Sequence, residues 1–211
     1  MEAWSIADVP EHSLVDLLFD HLHQFERLAI PPLTPWPCHV RKRVLPRDLG
    51  LPASAFGDVD ALLVPHDDIS QCRAVEFKRI RITSKTFQAG VPNKLGELTR
   101  ALTQANELSR VGFACVWLQV LVVTDSRGLN PGRLVFQGPT GRMIEMVRER
   151  LDLNTLAPNV GVCILELTQP TDRPVFETGM MGGSMLRTPA QAHQPRDLTE
   201  RVRLLVSPLA S

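Results

Sequence analysis

The chain contains no tyrosine, and aromatic residues make up only 5% of its 211 positions. Single-stranded nucleic acids are commonly held by stacking successive bases on aromatic rings, and platforms of that kind are scarce here. Nor is there an excess of charge. Lys plus Arg and Asp plus Glu each number 23, the formal net charge is zero, and no general attraction to polyanions is visible in the total. No apolar run reaches the roughly 18 residues of a membrane helix. The opening MEAWSIADVPEHS is acidic and lacks the basic start and apolar core of a secretory signal. A cytoplasmic location without membrane attachment is therefore expected. The four cysteines, Cys38, Cys72, Cys115 and Cys163, are widely spaced and form no C-x-x-C pair. Structural zinc usually needs close paired ligands, so buried free thiols are expected. A G-x-S-x-G elbow is also missing, which argues against that form of serine hydrolase.

What is present is an ordinary globular composition, 44% hydrophobic and 22% charged, in a chain long enough for one domain spanning residues 1–211. Charge is unevenly placed. Residues 1–30 are mostly acidic, whereas Arg41, Lys42, Arg43 and Arg47 form one basic run and Lys78, Arg79, Arg81 and Lys85 another. Leu14, Leu17, Leu18, Phe25 and Leu28 recur at helical spacing, which predicts a first helix over 13–28 with Ser13 as its cap. Four prolines in AIPPLTPWPC end it. Short strands are predicted at 40–45, in VDALLVP and in CRAVEFKRI, followed by a helix capped by Asn93 and ended by Gly112. FACVWLQVLVVT and VGVCILEL are buried strands on either side of a helix over 141–151. The predicted core spans about 13–167. Residues 168–211 are read as an irregular extension with a closing helix over 198–206, and 177–187, including GMMGGSM, as a loop able to act as a lid. The element order implies an α/β fold with a mixed central β-sheet flanked by helices.

The polar HDDISQ joins VDALLVP to CRAVEFKRI and has the composition of a hairpin connection. Folding the two runs about its middle places Asp60 opposite Glu76 or Lys78. Side chains alternate along a strand, so Glu76 and Lys78 share one face and Phe77 points to the other. Asp58 shares the parity of Asp60. Carboxylates crowded on a covered sheet repel each other and lose hydration, and one lysine cannot neutralise them all. A hydrated Mg²⁺ or Mn²⁺ suits such a donor set and such chemistry. His21 and His23 are two apart on a helix and do not face each other, so they are not read as ligands.

In these two segments, G-D-V-D-A-L-L-V and V-E-F-K, the chain resembles the PD-(D/E)xK nuclease superfamily. The resemblance covers about residues 56–124. It implies a three-layer restriction-endonuclease-like core and a metal-dependent nuclease, acting on DNA ahead of RNA. Asp60 and Glu76 are then metal ligands, with the Phe77 carbonyl as a further ligand and Asp58 as an alternative, and Lys78 is the catalytic lysine. Gln104, Arg79 and Lys94 become substrate-binding candidates. Members often add a glutamate from the first helix, for which Glu11 and Glu26 both qualify. A non-catalytic protein of the same fold, serving as a binding or assembly subunit with a homodimer or protein partner, is the alternative.

Overall fold

The computed structural model of the chain describes residues 5–20, 29–125, 138–169 and 180–207. In chain order these form α1 (Glu11–Asp20), β1 (Cys38–Val44), β2 (Val59–Pro65), β3 (Arg73–Ile82), α2 (Ser84–Ala89) and α3 (Glu97–Val111). After them come β4 (Cys115–Asp125), α4 (Gly141–Glu149), β5 (Val160–Gln169), β6 (Met180–Arg187) and α5 (Arg196–Val206). The strands make one sheet in the order β1-β2-β3-β4-β5-β6. β1, β2 and β3 are antiparallel neighbours, β3, β4 and β5 are parallel, and β6 returns antiparallel to β5. The α/β class and the mixed sheet are as expected from sequence.

Parallel strands need both faces covered, which is why β3, β4 and β5 are apolar on both sides. On one face Leu62, Ile80, Val120 and Ile164 pack with Leu98 and Leu102 of α3, Met143 and Val147 of α4, and Leu198 and Val202 of α5. On the other face Leu63, Phe77, Trp117 and Leu121 pack with Leu14, Val15, Leu18 and Phe19 of α1. Phe19 meets Phe77 edge-on, with ring centroids 6.1 Å apart, the geometry aromatic quadrupoles favour. All four cysteines are buried, and Cys72, Cys115 and Cys163 are free thiols, as their isolation in sequence predicts. No helix among the described residues is long and apolar enough to cross a membrane.

Four expectations need correction. The first helix begins at Glu11 rather than Ser13, so Ser13 lies inside it; residues 21–28 of the predicted helix lie outside the described residues. Asn93 does not cap α3. Its backbone pairs with Arg81, through Asn93 N–H to the Arg81 carbonyl at 2.8 Å, and the helix starts at Glu97 after Gly96. Helix α2 was not anticipated, because six residues carry too little periodicity; Thr83 caps it by accepting from Thr86 N–H. Finally, residues 180–187, read as part of a loop or lid, form the edge strand β6. Glycines mask strand propensity there, and only the tertiary pairing with β5 reveals it. Residues 177–179 lie outside the described residues.

Candidate active site

The site is built where the β2–β3 ladder stops. Leu63 faces Arg73, Leu62 faces Ala74 and Ala61 faces Val75. One step further, this register sets Asp60 opposite Glu76 and excludes Lys78 as its direct partner. There a side chain takes over from the backbone: Asp60 Oδ2 accepts a hydrogen bond from Phe77 N–H at 2.7 Å. β3 itself is held rigidly, since each residue from Arg73 to Ile82 pairs with β4.

Glu76 is 4% exposed, and its carboxyl makes no hydrogen bond or ion pair among the described residues. Burial, followed by the charge of Asp60, pushes its pKa up to about 9. Burial also raises Asp60, to about 7, although the Phe77 N–H bond works against it. The charges of Glu11 and Asp58 add to both shifts. Asp58 itself is exposed.

Lys78 projects from the same face as Glu76 and is clamped between two helices. Its Nζ donates to Glu11 Oε1 of α1 at 3.1 Å and lies 3.7 Å from Glu97 Oε2 of α3. Burial alone lowers a lysine pKa, but these two carboxylates outweigh it and the net shift is upward. The other oxygen of Glu11 accepts from Arg79 N–H at 2.5 Å. Glu11 thus ties α1 to β3 at the site. Glu26, its rival from the sequence, lies outside the described residues, as do His21 and His23. Glu97 was not singled out from the sequence. Its only signal is being the first residue of a helix that must cross β3.

The three substrate-binding candidates fare differently. Gln104 is half-buried on α3, seven residues after Glu97 and so on the same helical stripe. Lys94 is exposed but pairs with Glu97 at 3.1 Å. Arg79 is buried and turned to the opposite sheet face, with Nη1 3.4 Å from the Ala7 carbonyl, so it does not join the acid cluster. The basic runs are largely spent inside the molecule. Lys42 pairs with Asp16 at 3.0 Å and with Asp20, Arg43 pairs with Asp16, and Arg81 pairs with Asp8. The acidic beginning of the chain and its basic runs are therefore two sides of one contact.

Among the described residues no group of three or more His, Cys, Asp or Glu side chains is placed to hold a metal ion between them. The arrangement is instead two opposed carboxylates, the Phe77 peptide and an uncompensated negative field. That set fits a hydrated hard cation such as Mg²⁺ or Mn²⁺, which takes few protein oxygens and keeps several waters, and it does not fit a closed cage. No protein-family model matches the chain, and no curated protein matches its sequence.

Proposed function

We propose that this protein is a metal-dependent nuclease of the PD-(D/E)xK type, with a restriction-endonuclease-like core, acting on nucleic acid and on DNA ahead of RNA. One observation carries the reading: Asp60 and Glu76 oppose each other at the end of the β2–β3 ladder, with Lys78 on the same face and too little positive charge nearby to balance them. Such an arrangement costs folding free energy unless a cation completes it. Asp60 and Glu76 would hold Mg²⁺ or Mn²⁺, with the Phe77 carbonyl as a further donor and Asp58 as an alternative ligand. When bound, that ion supplies Lewis acidity toward the phosphate and the attacking water.

The chain's own residues do the rest. Lys78, kept protonated by Glu11 and Glu97, offers hydrogen bonds to the attacking water or to charge developing on the phosphoryl oxygens. Glu11 fixes the lysine's direction and holds the Arg79 peptide in place. Asp60 holds the Phe77 peptide, which keeps β3 in register with the end of β2.

A second reading, a non-catalytic binding or assembly subunit of the same fold, is favoured by one specific finding. Lys78 at the site, and Lys42, Arg43 and Arg81 of the basic runs, are already paired with acids of the chain's own beginning. Cleavage of plasmid and oligonucleotide DNA and RNA with Mg²⁺ or Mn²⁺ separates the two. The nuclease reading expects metal-dependent cleavage that falls about 10²- to 10⁴-fold in Lys78→Ala and Glu76→Ala. Absence of cleavage under all conditions, or unchanged cleavage in both variants, leaves the binding subunit.

A further inference from the structure

Gln119 interrupts the longest apolar strand among the described residues. It pairs in register with Phe77 on β3 and Cys163 on β5, so it faces the α1 side of the sheet, away from Glu76 and Lys78. It is 2% exposed, its neighbours Trp117 and Leu121 belong to the apolar core, and its Oε1 accepts no hydrogen bond among the described residues. A buried amide whose oxygen has no donor is a standing cost that a leucine in the same place would not carry.

Gln119 also lines a cavity of about 350 Å³, walled by Ile30, Pro32, Cys163, Leu165 and Met185. That is within the range of small-molecule sites. None of these walls is charged, because burial pushes the Cys163 thiol up to about 12. The floor is opened by Gly183, opposite Leu165 on β6. A Cβ at Gly183 would come no closer than 3.5 Å to Ile164 O and 3.9 Å to Leu165 Cδ1. Packing does not demand glycine there, and a strand interior ordinarily disfavours it. Its presence leaves volume open beside the Gln119 amide, Ser184 being the other polar side chain in the lining. The terminal torsion of a glutamine has a broad, two-fold profile, so a half-turn exchanges the two ends of the amide at the cavity wall.

We propose that this cavity binds a compact, uncharged, largely apolar molecule bearing one N–H or O–H donor, which donates to the Gln119 carbonyl while its apolar body fills the space over Gly183. The site lies on the sheet face opposite the acid cluster and stands independently of the nuclease reading. Indole and its near-isostere benzofuran, which lacks the donor, test it by titration into ¹⁵N-labelled full-length protein. Indole is expected to shift the Gln119 side-chain amide and Gly183 backbone resonances saturably, and benzofuran to bind about tenfold more weakly, the loss of one buried hydrogen bond. In Gln119→Leu the two ligands should bind alike, and in Gly183→Leu neither should bind. No saturable shift with indole, equal affinity of the two ligands for the wild type, or undiminished binding to a folded Gly183→Leu variant overturns the proposal. The wild-type comparison decides the matter even if a variant does not fold.

Discussion

Glu76 is where folding and proposed function pull against each other. Its folded pKa of about 9, and that of Asp60 near 7, lie above the values near 4 to 4.5 of the unfolded chain. The folded state therefore binds more protons between those limits, and stability falls as pH rises from about 4.5 through 7 to 9. His39, whose pKa burial and then His66 lower, works in the opposite sense below its ordinary value of 6.5, so a difference between two proteins isolates the carboxyl. In chelator, Glu76→Gln is expected to melt about 5 °C or more above wild type at pH 8.5, and close to it at pH 5.5. Calorimetry at the two pH values checks this; an equal difference at both would remove the charge explanation. Adding Mg²⁺ or Mn²⁺ should raise the wild-type melting temperature at pH 8.5 more than at 5.5, because the cation competes with protons, and should leave Glu76→Gln little changed.

At the scale of elements, α1 is fastened to β3 twice, by apolar packing and by Glu11. Glu11→Ala removes two charge-assisted hydrogen bonds, to Lys78 Nζ and Arg79 N–H. A loss of about 1.5–3 kcal/mol in urea unfolding is expected. Glu11→Gln keeps one acceptor for the Arg79 peptide and should recover part of that stability, but not the ion pair to Lys78. A second element-level contact lies where β5 passes β4. A Cβ on Gly161 would sit 2.7 Å from Trp117 Cε3 and Cζ3 and from Pro189 Cδ. Trp117 is fully buried and has nowhere to retreat, so Gly161→Ala should cost about 1–3 kcal/mol by overpacking. Denaturant midpoints of the purified variants test both expectations.

For the whole molecule, the net charge is zero, and the internal pairing of Lys42, Arg43 and Arg81 with Asp16, Asp20 and Asp8 takes three cations of the basic runs out of those able to displace counterions. Binding to duplex DNA, measured by anisotropy without divalent metal, should have a slope of log affinity against log salt no steeper than about −3, since each phosphate contact contributes about −0.9. A slope near −8 would mean that these ion pairs open to receive the backbone. The same pairing explains why neutral composition and locally basic runs coexist: charges of the runs are consumed in attaching the first helix and the turn before it.

The sequence by itself determined the α/β class, the two strands of the hairpin and the shared face of Glu76 and Lys78. Those follow from local rules, since alternation along a strand and apolar runs do not depend on distant partners. Glu11 against Lys78 and the Arg79 peptide, Glu97 beside Lys78, the burial of Arg79 and the strand at 180–187 were decided only by the tertiary structure. Each depends on which segment lands against which across long separations: α1 on β3, α3 across β3, β6 on β5. The opposition of Asp60 and Glu76 lies between the two, legible to within one pair from the hairpin and fixed by the register in which Ala61 faces Val75. Periodicity says which way a side chain points, and only packing says what it meets.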